Sequence, residues 1–130
     1  MAWLAAGSNY VMGGLLAAFI FSLSDTRVGW VGTNVDGRIA YNFRLFNGDE
    51  VGVAQVEAGE TLTIDYAANV DRGVLSFRLL DPQGTVVFAE AVETDVSDQF
   101  VLNPEQPGQY EIHIVGDNAV GGFVVDWSVQ

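Results

Sequence analysis

The sequence predicts an all-β protein, an antiparallel two-sheet β-sandwich of about seven or eight strands, preceded by one N-terminal transmembrane α-helix. Three observations predict it. The first twenty-four residues carry no charged side chain, whereas the rest of the 130-residue chain carries all 17 acidic residues and all five arginines. From Asp25 onward, apolar residues recur with a period of two, the signature of strands with one buried face. Pairs and clusters of Gly, Pro, Asn and Asp punctuate these runs at short intervals, as turns between strands require.

The apolar opening, Ala2–Leu23, is 22 residues long. As an α-helix it spans about 33 Å at about 1.5 Å per residue, against a bilayer hydrocarbon core of about 30 Å. A secretory signal needs a basic start and a small-residue cleavage site; this segment has neither Lys nor Arg and runs out in FSLSDT. A core helix of a soluble domain needs one polar face, yet Ser8, Asn9 and Tyr10 are consecutive rather than aligned. A filament-type packing helix is the third rival, and the processing motif of such subunits is missing. The anchor fits best, which divides the chain into a transmembrane helix, residues 1–25, and a β-domain, residues 26–130. Trp3 falls at the level of a membrane interface. Gly13 with Ala17 and Gly14 with Ala18 keep the four-residue spacing that lets a second helix approach closely in lipid. Gly13, Gly14, Ala17 and Ala18 are therefore the expected helix-packing residues. Charge barely signals orientation, because Arg27 follows the helix beside Asp25.

The strands follow in order. RIAYNFRLF sets Ile39, Tyr41, Phe43 and Leu45 on one face, and Val51–Val56 is a shorter candidate after the Asn47-Gly48 turn signal. TLTIDY aligns Leu62, Ile64 and Tyr66; VLSFRLL aligns Leu75, Phe77 and Leu79. Asp81–Gly84 (DPQG) places Pro at the second position of a turn, and Val86–Ala91 and Gln99–Leu102 are less regular strands. After the two prolines of Asn103–Gly108, QYEIHIV points Tyr110, Ile112 and Ile114 inward. GDNAVGG then reads as the loop of a final hairpin, and GFVVDWSV points Phe123, Val125, Trp127 and Val129 inward. TNVDG reads as a polar break. Strands of this number and spacing, with one buried face each, imply two packed antiparallel sheets.

The run from Gly59 to Trp127, with its strand ending in D-P-x-G, its P-G-x-Y and its closing G-x-F strand, resembles small envelope β-sandwiches. Bacterial pre-peptidase C-terminal domains and GOLD domains share that cadence. The resemblance implies a binding or structural module on the extracytoplasmic side, without catalytic residues to carry over. The expected location is thus the cell membrane, single-pass, with the β-domain outside the cytoplasm.

Composition excludes several function classes. A net charge of −12 repels a phosphate backbone, so nucleic acid is not a partner, and adhesion through a polybasic patch is ruled out. The chain has no cysteine, hence no disulfide, thiolate metal site or thiol nucleophile. His113 is the single histidine; alternation turns it away from Ile112 and Ile114, and no G-x-S-x-G elbow accompanies it. Asp95, Asp98 and Asp117 offer oxygen ligands for calcium without the spacing of a calcium loop. No glycine-rich phosphate loop is present. Catalytic, cofactor and metal residues are all expected to be none. Trp30 and Tyr41 are too isolated in sequence to form an aromatic sugar platform.

The leading functional expectation is a non-catalytic, single-pass accessory subunit of a respiratory, photosynthetic or secretory membrane complex. Its partners would be other membrane subunits and the lipid bilayer, with homo-oligomers left open. A self-assembling surface or filament subunit is the alternative. An envelope ligand- or carbohydrate-binding module comes third.

Overall fold

The computed structural model describes residues 25–130. The predicted N-terminal helix and its packing residues Gly13, Gly14, Ala17 and Ala18 lie outside the described residues. Within them the chain is all antiparallel β-structure in seven strands: β1 (Thr26–Val28), β2 (Val31–Val35), β3 (Arg38–Val56), β4 (Leu62–Leu80), β5 (Val86–Val92), β6 (Val96–Leu102) and β7 (Gly108–Val129). No described helix is long and apolar enough to cross a membrane.

Three strands dominate, with 19, 19 and 22 residues in β3, β4 and β7. The expectation of separate short strands is corrected here. Asn47-Gly48 is not a hairpin turn, because β3 continues through it with a slip in register. TLTIDY and VLSFRLL are two halves of β4, and QYEIHIV and GFVVDWSV are two halves of β7. GDNAVGG is a bend inside β7, not a hairpin loop. Conversely, TNVDG, read as a polar break, supplies the end of β2 and a tight return into β3.

The sandwich is thus one sheet folded over on itself. The central β7 pairs with β3 on one side and β4 on the other. Residues 38–43 of β3 pair with 121–126 of β7, whereas 48–56 pair with 108–116. Residues 62–70 of β4 likewise pair with 121–129, and 74–80 with 111–117. A front layer therefore runs β2, β3, β7, β4, β6, and a back layer runs β3, β7, β4, β5, with β1 paired at the bend.

Bulges make the fold-over. Register slips between Phe43 and Gly48 in β3 and between Val70 and Val74 in β4. An extra residue turns every later side chain to the opposite parity. The buried row of β4 accordingly switches from even (Leu62, Ile64, Tyr66, Ala68, Val70) to odd (Leu75, Phe77, Leu79), and that of β7 from Tyr110, Ile112 and Ile114 to Phe123, Val125 and Trp127. In β3 the slip puts Phe46, fully buried, in the place expected of Leu45. The bend needs glycine where backbones nearly touch. Gly73 (φ 77°) and Gly121 (φ 144°) would carry a Cβ 2.1 Å from the Asn118 carbonyl oxygen and 1.8 Å from that of Asn69.

The layers meet face to face. Tyr66 of the front layer lies 4.9 Å from Phe77 of the back layer, between ring centroids. A Cβ on Gly52 would approach Trp127 Cη2 to 2.6 Å, so the back layer thins at Gly52 to admit that indole. Trp127 is 9% exposed and belongs to the inward row, as the alternation predicts. One edge is closed by Arg27, which bonds Asp25 (2.7 and 2.8 Å) and Glu50, while Asn34 Nδ2 donates to Glu50 at 2.7 Å. The other edge is closed by the Tyr66 hydroxyl donating to Glu90 and by Phe88 stacked on Phe100 at 4.3 Å. Asp81 caps the DPQG turn, its Oδ1 accepting the Gln83 and Thr85 amides at 2.9 Å.

Candidate functional site

The outer face of the front layer carries three rows of side chains that cross the strands in register. The first row is Val35, Arg38, Asp126, Asp65, Gln99; the second is Thr33, Ala40, Val124, Ala67, Ser97. The third is Val31, Asn42, Gly122, Asn69. Small side chains fill the middle row and longer polar ones stand on either side. The result is a groove that crosses five strands, about 19 Å at about 4.8 Å between strands. Two open depressions of about 530 and 460 Å³ share Ala67 and Val124 in its floor and together trace its length.

Its walls are polar and differ. On one wall Arg38 Nη1 donates to both oxygens of Asp126, at 2.8 and 2.9 Å, and Gln99 Nε2 donates to Asp65 at 2.8 Å. On the other, the side-chain amides of Asn42 and Asn69 make no hydrogen bond to another described residue. Gly122 keeps that wall low, since a Cβ there would lie 2.3 Å from Asn42 Oδ1. None of the outward positions in the three rows is aromatic. Trp30 and Tyr41, expected to be isolated, stack at 4.1 Å, but in a half-buried cluster with Phe43, Phe46 and Phe123 at the bend. The Arg27 guanidinium lies over Trp30, 4.5 Å from the ring centroid.

The outer face of the back layer is built differently. His113 sits at its centre with 17% of its side chain exposed. Its Nδ1 lies 2.9 Å from Asp49 Oδ2 and its Nε2 lies 2.9 Å from Glu111 Oε1. Burial pulls the His113 pKa down, but the two carboxylates outweigh it and hold the imidazole above its ordinary value. Only the doubly protonated ring donates to both neighbours at once. Outward alternation of His113 is as the sequence predicts. Asp95, Asp98 and Asp117 do not converge: Asp95 accepts the Val70 amide at 3.0 Å, Asp98 the Gln99 amide at 2.8 Å, and Asp117 bonds Asn118. Among the described residues no cluster of three metal-ligating side chains occurs.

No family model matches the chain, pre-peptidase C-terminal and GOLD families included. No curated protein matches it either. Solved structures resemble it to differing degrees. A carbohydrate-binding module described as CBM4 superposes with a TM-score of 0.53 at 16% identity, over 82% of this chain and 77% of that one. TmCBM61, solved in complex with β-1,4-galactotriose, gives 0.46 at 15% identity over 78% of this chain, which spans 66% of its length. The enzymatically active domain of tailspike protein 4 of bacteriophage CBA120 gives 0.42 at 17% identity, over 84% of this chain and 19% of that one. The fold is a β-sandwich similar to that of the CBM4 module.

Sequence reading missed the groove. Its residues were visible only as the polar partners of core positions, for example Asn42 between Tyr41 and Phe43. Nothing local says that Asp126 stands beside Asp65, 61 positions earlier.

Proposed function

We propose that residues 25–130 form a non-catalytic carbohydrate-binding module whose front-layer groove holds a stretch of glycan chain. One observation carries the reading: a floor of Ala40, Val124 and Ala67 between two polar walls. A pyranose ring offers apolar C–H faces and a rim of hydroxyls. The floor accepts the former, and Arg38, Asp65, Asn42 and Asn69 bond the latter, the usual division of labour in ligand sites. The CBM4-like fold supports the same reading. It supports the third of the sequence-based expectations better than the membrane-complex subunit.

The walls support binding without hydrolysis. Glycoside hydrolysis uses one carboxyl as acid and another as base or nucleophile, flanking the bond. Here Asp126 is 44% exposed and ion-paired with Arg38, and Asp65 is held by Gln99. The groove is open and offers no aromatic platform, so the affinity expected for a short oligosaccharide is about 0.1–1 mM, or about −5.5 to −4 kcal/mol. The test is affinity electrophoresis of the full chain in gels containing β-1,3-glucan, xylan or β-1,4-galactan. Retardation by at least one, relieved by Ala67→Trp, supports the module; free migration in all three sinks it.

A further inference from the structure

The three rows of the groove hold two carboxylates and one cation, and Asp98 lies at the edge of its second depression. Arg38 and Asp126 neutralise each other through the Nη1 contacts to both carboxylate oxygens. Asp65 stands directly opposite Asp126 in the register and has only the neutral Gln99 amide as partner. Its negative charge is uncompensated in the wall of the groove, on a chain whose net charge is already −12.

We propose that the groove selects uncharged glycans and rejects carboxylated ones, with Asp65 as the residue that discriminates; this rests on the glycan-binding reading above. A carboxylate only accepts hydrogen bonds. Sugar hydroxyls donate to it, and a neutral chain can satisfy the lone pairs that Gln99 leaves open. A uronate laid over the same floor brings a second acceptor-only anion beside the first. Like charges at contact distance near a protein surface repel enough to lower affinity by about tenfold or more. Specificity of this kind comes from the repulsive element, not from an added attraction. Removing both carboxylates reverses the sign, since Asp65→Asn with Asp126→Asn leaves Arg38 as an unpaired cation in the wall.

The experiment compares each neutral glycan with its own derivative, so that backbone shape stays constant. β-1,3-glucan and β-1,4-galactan are used as such and after oxidation of their primary hydroxyls to carboxylates. Full-length wild type, Asp65→Asn and the double variant are titrated against all four, and thermal melting confirms that each variant is folded. Wild type is expected to bind the neutral form at least about tenfold more tightly than the oxidised form. Asp65→Asn should narrow that ratio, and the double variant should invert it, with binding of the oxidised form weakening as salt rises. If wild type binds both forms alike, or Asp65→Asn leaves the ratio unchanged, the selectivity proposal is overturned while glycan binding stands. If wild type binds neither neutral glycan, the glycan-binding reading itself falls. Should the double variant fail to fold, the single variant still decides.

Discussion

The two outer faces of the folded sheet are made from the same three long strands, yet one is a groove and the other is filled. The difference lies in the two halves of β7. On the front it presents Gly122, Val124 and Asp126; on the back it presents Glu111, His113 and Val115. Small residues at the centre of the front face, matched by Ala40 and Ala67 on the neighbouring strands, leave room above the sheet. On the back, the imidazole occupies the centre and turns both nitrogens to carboxylates of its own face. Flanking valines Val51 and Val53 are 37% and 41% exposed, beside His113 and Glu111, whose side chains bond each other. Side-chain size at a few cross-strand positions, rather than backbone topology, thus decides which face carries an open groove.

Four experiments break or sharpen this comparison. The largest effect is expected where both faces share a support. Trp127 fills the space over Gly52 between the layers, so Trp127→Ala should destabilise the domain by about 3–5 kcal/mol, read from urea unfolding, and weaken front and back alike. A loss under about 1 kcal/mol would show that the layers do not meet through that side chain.

Next comes the groove floor. Ala67→Trp places an indole where the middle row is smallest and should lower glycan affinity by about a hundredfold, about 2.7 kcal/mol, with the melting temperature little changed. Equal binding by this variant would move the ligand off the front face.

The third test addresses the back face through pH. The pKa of folded His113 lies above its ordinary value of 6.5, so the folded state holds the proton more tightly than the unfolded chain. The resulting stability is fully present below about 6.5 and is lost as pH rises through the folded value. Arg78, its cross-strand neighbour, opposes the imidazolium, while Asp49 and Glu111 favour it. His113→Gln should cost about 1 kcal/mol at pH 5 and flatten this part of the pH profile, while front-face binding persists. An unchanged slope in the variant would assign the pH dependence to other groups. The smallest effect is expected for Val53→Trp on the back face, which should change stability by no more than about 0.5 kcal/mol and leave glycan binding as it was. A loss of binding there would erase the distinction between the faces.

Much of this was legible from composition and alternation. Period-two runs identified Leu62–Tyr66, Leu75–Leu79, Tyr110–Ile114 and Phe123–Trp127 as inward rows, and all of them are buried. The DPQG turn is where Pro and Gly put it. Even the bends left a trace, because the inward rows change parity between Tyr66 and Leu75 and between Ile114 and Phe123. The trace was read as separate strands, since Asn-Gly and Gly-Gly supply the backbone freedom for a hairpin and for a bulge alike. Which one forms depends on whether the two halves pair with each other or with other strands, and that is a tertiary matter. Phe46 in place of Leu45 is the same effect at one residue.

By itself, then, the sequence determined the all-β class, the core rows, the acidic surface and the absence of thiol chemistry, because each depends on residue type and local period. Only the tertiary structure decided that three strands fold over into both layers, and that Arg38, Asp126, Asp65 and Gln99 share one row. The physical reason is register. Side chains on one sheet face become neighbours through backbone hydrogen bonds between strands far apart in sequence, and a shift of one residue would send every one of them to the other face.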